Sequence, residues 1–451
     1  MTTAGNGQQQ GLILGLLMAT TALGISAPAV ALPALAGVLD RPVAALAWVL
    51  AAYALALALA TAVAGRLVDL YGAHRTLWFG VAAAVLGTTI SVAAPTLSTV
   101  VAGRLIQGAG AGAIAVVVLT VATLRPADSR GAVLGTMTAT VAVLSGAGPL
   151  LGGALAVWSP RAALALPALA LLVAGPALRG VPRVAGRGRV DLIGAGLLAI
   201  TVGSLTLLVQ ARTTELSPVM AAATAAASLL AGAALVRHTR RHRDGFLPHE
   251  VVGRPVFGLV AGSGATVMAA YLATLFAAPV LLAAQGLGPF ATGAVLLPAA
   301  VVGAASSRLM GRLVQRMPPL TAQMGIAALA ASGLLTGALA GASIVGVVLA
   351  AAMVLAAFAG GQVAVVSAMS ALTTEATRGI ALGLQNLALL TGGALGTAAA
   401  GALTDLATTQ LALAVLVPVP LVGVLLARTA SAQADTDRTA DGVGQRGSAA
   451  S

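Results

Sequence analysis

Cysteine is absent from this chain, so disulfides and thiolate metal sites are excluded and the redox compartment goes unread. Lysine is absent too: all 24 basic residues are arginines. Arginine alone, beside an excess of alanine and glycine, is the compositional mark of a high-GC bacterial genome. Charge of either sign is scarce, at 8% of 451 residues, and the mean hydropathy is +1.00. These values exclude a soluble globular domain. A net charge of +12 would invite a nucleic-acid partner in a soluble chain. Here the arginines fall in short gaps between apolar runs, where they orient a membrane protein, so no nucleic-acid partner is expected.

What is present is a series of apolar runs of about 18 residues or more, each long enough to cross a bilayer as a helix. The runs do not alternate every second residue, which argues against a transmembrane barrel. The pattern predicts an all-α polytopic protein with fourteen spans, near 12–35, 44–64, 76–95, 98–121, 131–157, 162–178, 192–210, 219–236, 255–283, 291–310, 321–341, 343–368, 380–401 and 408–427. The first run lacks a basic leader and exceeds a signal-peptide core, so it reads as a retained span. Residues 429–451 are polar and predict a disordered tail.

Arginine distribution sets the orientation. With both termini inside, twenty of the 24 arginines lie on the inner side; Arg41, Arg161 and Arg212 lie outside, and Arg104 falls within a span. Two segments recur. GRLVDLYG at Gly65 is matched by GRLVQRMP at Gly311, and RGAVLG at Arg130 by RGIALG at Arg378. The near-equal offsets predict two parallel six-helix halves, residues 1–180 and 255–428, with two extra spans and a basic cytoplasmic loop in 181–254.

Three stretches carry chemistry. Gly65 to Arg75 has the spacing G-x-x-x-D-x-x-G-x-x-R after the second span; its glycines suit a tight reversal, and Asp69 with the arginines suits an ion-pair network at the inner mouth. The plainer alternative is a solvated loop. Arg104 lies within the fourth span, where a charge must turn towards a cavity or a partner unless it snorkels. Gln107 sits one turn along on the same face. Gly108 and Gly112 allow a neighbouring helix close. The fifth span contains SGAGPLLGGAL, residues 145–155. Glycine and proline are poor choices inside a helix, by about 1 and ~3 kcal/mol relative to alanine. Gly148 and Gly152 form a G-x-x-x-G packing face, and Pro149 removes a backbone bond and bends the helix. Such a defect persists where neighbours repair it or where it lines a cavity; tight, immobile packing is the alternative.

These three motifs, in order on spans two to five, resemble those of the major facilitator superfamily. The Gly-Pro stretch is similar to that of its drug:proton antiporters, and the two extra spans look like the fourteen-helix branch. The resemblance implies an exporter of amphipathic small molecules by alternating access, coupled to protons, with no cofactor. It implies that Gly65, Asp69, Gly72 and Arg75 gate the inner side. Arg104 would take part in coupling, and Gly148, Pro149, Gly152 and Gly153 would limit leak. A monomer in the bacterial cytoplasmic membrane is expected, with lipid as its surrounding partner.

The sequence also departs from the family. The acid usual in the first helix is replaced by Gly24, and none of the twelve acids falls mid-span. Pro28 frees the carbonyl four residues earlier, which is that of Gly24, so Arg104 is expected to donate there and to leave the cavity net positive. Tyr53, Tyr271, Gln362 and Asn386 are candidate substrate contacts, each also readable as an ordinary interhelical hydrogen bond. The histidines of 237–254 are loosely spaced among arginines, so no metal site is expected; anionic lipid headgroups suit that segment better. An importer of a polar solute, a membrane-embedded enzyme and a non-transporting sensor are the rivals. The enzyme lacks a catalytic constellation within the spans.

Overall fold

A computed structural model describes residues 2–125, 127–179, 181, 192–209, 211, 216–241, 255–340, 343–373 and 375–448; the side chains of 2–6, 62, 66, 69, 127–128, 192, 195, 375–380 and 435–448 lie outside the description. Among the described residues there is helix and no strand. In chain order the helices are α1 Thr2–Ala29, α2 Leu32–Leu39, α3 Ala47–Ala93, α4 Leu97–Thr123, α5 Ala127–Trp158, α6 Ala170–Ala177, α7 Leu192–Val209, α8 Pro218–Arg241, α9 Pro255–Ala283, α10 Pro289–Leu313, α11 Pro319–Leu339, α12 Ile344–Ala371, α13 Glu375–Leu406, α14 Thr409–Leu416 and α15 Pro418–Ser448. Helix is the form in which apolar chain satisfies its backbone without water.

Twelve helical stretches among the described residues are long and apolar enough to cross a membrane. The expected count was fourteen. One of the expected spans is a shorter apolar helix, Leu166–Ala177, and another, α7, is described in full only over Gly196–Val209. The first is short because prolines interrupt it. Pro160 starts the 3-10 turn Pro160–Leu164, Pro167 is the second residue of the turn Leu166–Leu169, and Pro176 sits in the last turn of α6. At about 1.5 Å per residue, 166–177 covers roughly 18 Å, well under the ~30 Å hydrocarbon core. A second difference lies at the C-terminus, where α15 runs on to Ser448 through residues read as a disordered tail. Its apolar first turns have already supplied the costly nucleus, and propagation then adds one bond per residue.

Packing follows the sequence repeat. In the first part of the chain α1 packs on α5, and α9 packs on α13 in the second. Each pair also reaches across: α5 lies against α10, and α13 against α3. The second and fifth long helices of each repeat therefore meet at the seam. The largest apolar core joins α2, the start of α3, α9, α11 and α12 through residues such as Leu35, Leu50, Phe276 and Val354. Helices α7 and α8 pack on each other, and α7 touches α3 and α13. Of the basic segment 237–254, residues 242–254 lie outside the described residues.

Candidate functional site

Arg104 is fully buried, which removes snorkelling. Its Nε donates to the Val49 carbonyl at 2.8 Å, Nη1 donates to Gln107 Oε1, and Nη2 donates to the Gly24 carbonyl. Gln107 in turn donates from Nε2 to Thr88 Oγ1 at 2.6 Å and to the Leu164 carbonyl at 2.9 Å. The planar guanidinium fork thus ties α1, α3 and α4 together, and Gln107 extends the tie to the 3-10 turn before α6. A buried cation with charge-assisted bonds to neutral acceptors is held in place without a carboxylate.

The acceptor on α1 exists because of local sequence. Pro28 lies inside α1 and has no N–H, so the Gly24 carbonyl loses its usual donor. Gly24 itself has no room for a side chain: a Cβ there would meet the hydroxyl and ring of Tyr53. That accounts for glycine where the resemblance places an acid. Tyr53 is buried, donates to the Thr21 carbonyl at 2.8 Å, and sets its ring 4.2 Å from the Arg104 guanidinium carbon. That is a cation–π contact away from water. Neither Val49, Thr88 nor Leu164 carried a signal in the sequence, since backbone acceptors and single threonines look alike along every span.

A cavity of about 480 Å³ lies between the two parts of the chain. Its walls come from α1, α3, α4 and α5 on one side and α9, α10, α12 and α13 on the other. Tyr271, Gln362 and Asn386 line it; Tyr53, Arg104 and Gly24 do not. The expected positive cavity is therefore corrected. No ionised side chain lines it among the described residues, because Tyr53 closes over Arg104 and the guanidinium spends its donors inside the first half.

The glycines of α5 divide between two neighbours. A Cβ on Gly148 would meet Ser26, and one on Gly152 the Ala27 backbone, both in α1. A Cβ on Gly146 would meet Ala300, and one on Gly153 the Pro289 and Phe290 backbone, both in α10. Gly293 of α10 answers by packing on the backbone of Pro149 and Leu150. Pro149 also lines the cavity together with Ser145, whose carbonyl it frees. The helix accepts glycine and proline because one side is pressed against α1, another against α10, and Pro149 lines the cavity.

The first inner loop is simpler than expected. The reversal falls on Gly72 alone, at φ 78°, inside α3. Gly65 is helical, with nothing within 4 Å of where a Cβ would stand. The apolar span simply continues past it, so only one glycine is needed for the turn. Arg75 is exposed; the side chains of Arg66 and Asp69, on which the ion-pair reading depends, lie outside the described residues. No group of three or more His, Asp or Glu fit to hold a metal occurs among the described residues.

A repeat-related helical bundle around a central cavity is the architecture shared by many membrane transporters. The sequence places the chain further. The model of the Major Facilitator Superfamily matches residues 12–350, and the chain belongs to that superfamily, whose members are transporters rather than enzymes. Among curated relatives, an uncharacterized MFS-type transporter of Mycobacterium tuberculosis is 31% identical over 309 residues, covering 65% of this chain and 52% of the relative. A multidrug resistance protein, Stp, of the same species is 30% identical over 284 residues, 60% of this chain and 52% of its own. The methylenomycin A resistance protein of Bacillus subtilis is 29% identical over 316 residues, 68% of this chain and 66% of its own. The chain spans about half the length of the first two.

Proposed function

We propose that this protein is an efflux transporter of amphipathic small molecules, most simply neutral ones, working by alternating access of two six-helix halves. The observation that carries the reading is the cavity between the halves, apolar over most of its wall, dotted with hydroxyls and carboxamides, and free of ionised side chains among the described residues. An unpaired charge in such a space is strongly unfavourable, whereas an amphiphile without charge fits it. Two of the relatives bear resistance names, which supports export over uptake of a polar solute. The fourteen-helix drug:proton antiporter branch accommodates the two short apolar helices as spans six and seven.

On this reading residues 1–180 and 255–428 are the moving halves and 181–254 the insert. The loop containing Gly65, Asp69, Gly72 and Arg75 gates the inner mouth. Arg104, with Gln107 and Gly24, holds the first half as one body. The glycine and proline face of α5 keeps the seam closed to leak. Both termini face the cytoplasm of a bacterial inner membrane. Labelling of Ser431→Cys from outside intact cells by an impermeant thiol reagent would contradict that orientation.

Proton coupling follows from the resemblance, yet no acid lies mid-span to carry the proton. Accumulation of amphipathic antibiotics and dyes in an exporter-deficient host tests both points. Lower accumulation that a protonophore abolishes supports proton-driven export. Lower accumulation that a protonophore leaves intact supports export with another driving force. Unchanged accumulation across the panel contradicts export and favours a sensor.

A further inference from the structure

The two walls of the cavity differ in what they can still bind. On the first-half wall four of the five hydroxyls are spent, all but that of Ser145. Thr21, Thr61 and Thr138 donate to the Met18, Ala58 and Leu134 carbonyls at 2.7, 2.8 and 2.7 Å, and Ser26 to the Ala22 carbonyl at 3.3 Å. A helical Ser or Thr that bonds back to its own backbone in this way has no donor left for a guest. The second-half wall is otherwise. Thr274 of α9 lines the cavity and is only 6% exposed, yet its Oγ1 has no hydrogen-bond partner. A buried polar group without a partner is uncommon in folded proteins and asks for an explanation. Beside it, Tyr271 is stacked on Phe358, with ring centroids 4.2 Å apart and planes 4° from parallel, and both rings line the cavity. Gln362 and Asn386 add two carboxamides to the same wall, each with two donors and an acceptor.

We propose that this wall is the recognition face of the cavity: Thr274, with Gln362 and Asn386, hydrogen-bonds a carbonyl or hydroxyl on the edge of an uncharged planar aromatic substrate that lies along the Tyr271–Phe358 pair. The first-half wall is apolar apart from Ser145 and the back-bonded hydroxyls, and adds little directional contact. This rests on the exporter reading of the same cavity and names its substrate class. Absence of ionised groups at the wall selects an uncharged guest, the unspent Thr274 donor selects an acceptor on it, and the paired rings select a flat shape.

Binding by the full-length protein in lipid nanodiscs, read by equilibrium dialysis, tests the proposal without requiring transport. Four bicyclic probes of nearly equal size serve: 7-methoxycoumarin, which has a carbonyl edge; 2-methoxynaphthalene, which has none; N-methyl-6-methoxyquinolinium, a cation; and 6-methoxy-2-naphthoate, an anion. The coumarin should bind tightest. Thr274→Val keeps the shape and removes the hydroxyl, and should weaken coumarin binding by roughly five- to tenfold, the worth of one hydrogen bond. It should leave the naphthalene unchanged. Thr274→Ser should restore coumarin binding, and Thr138→Val, whose hydroxyl is already spent, should change neither. The proposal is overturned if Thr274→Val leaves the coumarin unaffected, or weakens both neutral probes alike. Tighter binding of either ion, or no binding of the coumarin by the unmodified protein, overturns it as well. Should the binding pattern hold while cells show no export, the export reading fails and the site stands.

Discussion

Arg104 of α4 donates through Nη2 to the backbone carbonyl of Gly24 in α1, 80 positions earlier, and Pro28 is what leaves that carbonyl free. A proline defect in one helix thus becomes the receptor for a cation in another. The same guanidinium reaches Val49 and Gln107, so three elements depend on one planar fork.

Arg104→Lys should therefore fail even though it keeps the charge. An ammonium on a flexible stem does not reproduce the fixed fork. At least one of the three buried acceptors would lose its donor, at about 1–3 kcal/mol each. The expected result is a lower melting temperature of the purified protein and transport reduced more than tenfold. Wild-type stability and transport in the lysine variant would remove the network from the account.

Much of this was legible in the sequence, and the parts that were not share a cause. Pro28, Gly24 and Arg104 could be joined because proline has one definite backbone consequence, the freed carbonyl at i−4. The cover that Tyr53 places over Arg104 could not be read, since an aromatic inside an apolar run gives no hint of which neighbour it meets. That blindness produced the expectation of a positive cavity. The broken form of the sixth span could not be read because hydropathy sums apolar residues and is blind to Pro160, Pro167 and Pro176 breaking the helix into turns. Gly148 and Gly152 announced close packing by their spacing, whereas Gly153 gave no sign that it faces the other half.

That division among the glycines of α5 predicts two different defects. Gly152 abuts Ala27 within the first half, so Gly152→Val should impair folding, read as lower yield and lower melting temperature. Gly153 abuts Pro289 and Phe290 across the seam. Gly153→Ala should leave the melting temperature close to wild type and slow turnover or raise passive leak in proteoliposomes. Equal loss of stability in both variants, with leak unchanged, would argue that the seam and the interior of the half are mechanically alike.

At the inner loop, Asp69→Asn should reduce transport at least fivefold more than Asp128→Asn at matched expression. The motivation is the G-x-x-x-D-x-x-G-x-x-R spacing and the turn at Gly72 that positions it. A carboxylate there can bias one global state through nearby arginines. Equal rates for the two variants would take Asp69 out of the gate.

On the proposed function, the cavity carries uncharged amphiphiles because Arg104 is sealed away from it. The most direct measurement is efflux from preloaded exporter-deficient cells of chloramphenicol, a neutral aromatic amphiphile, against tetraphenylphosphonium, a lipophilic cation. Expression of the protein should speed loss of the neutral compound severalfold and leave the cation at the rate of the empty-vector control. Faster efflux of tetraphenylphosphonium, with chloramphenicol unchanged, would contradict it.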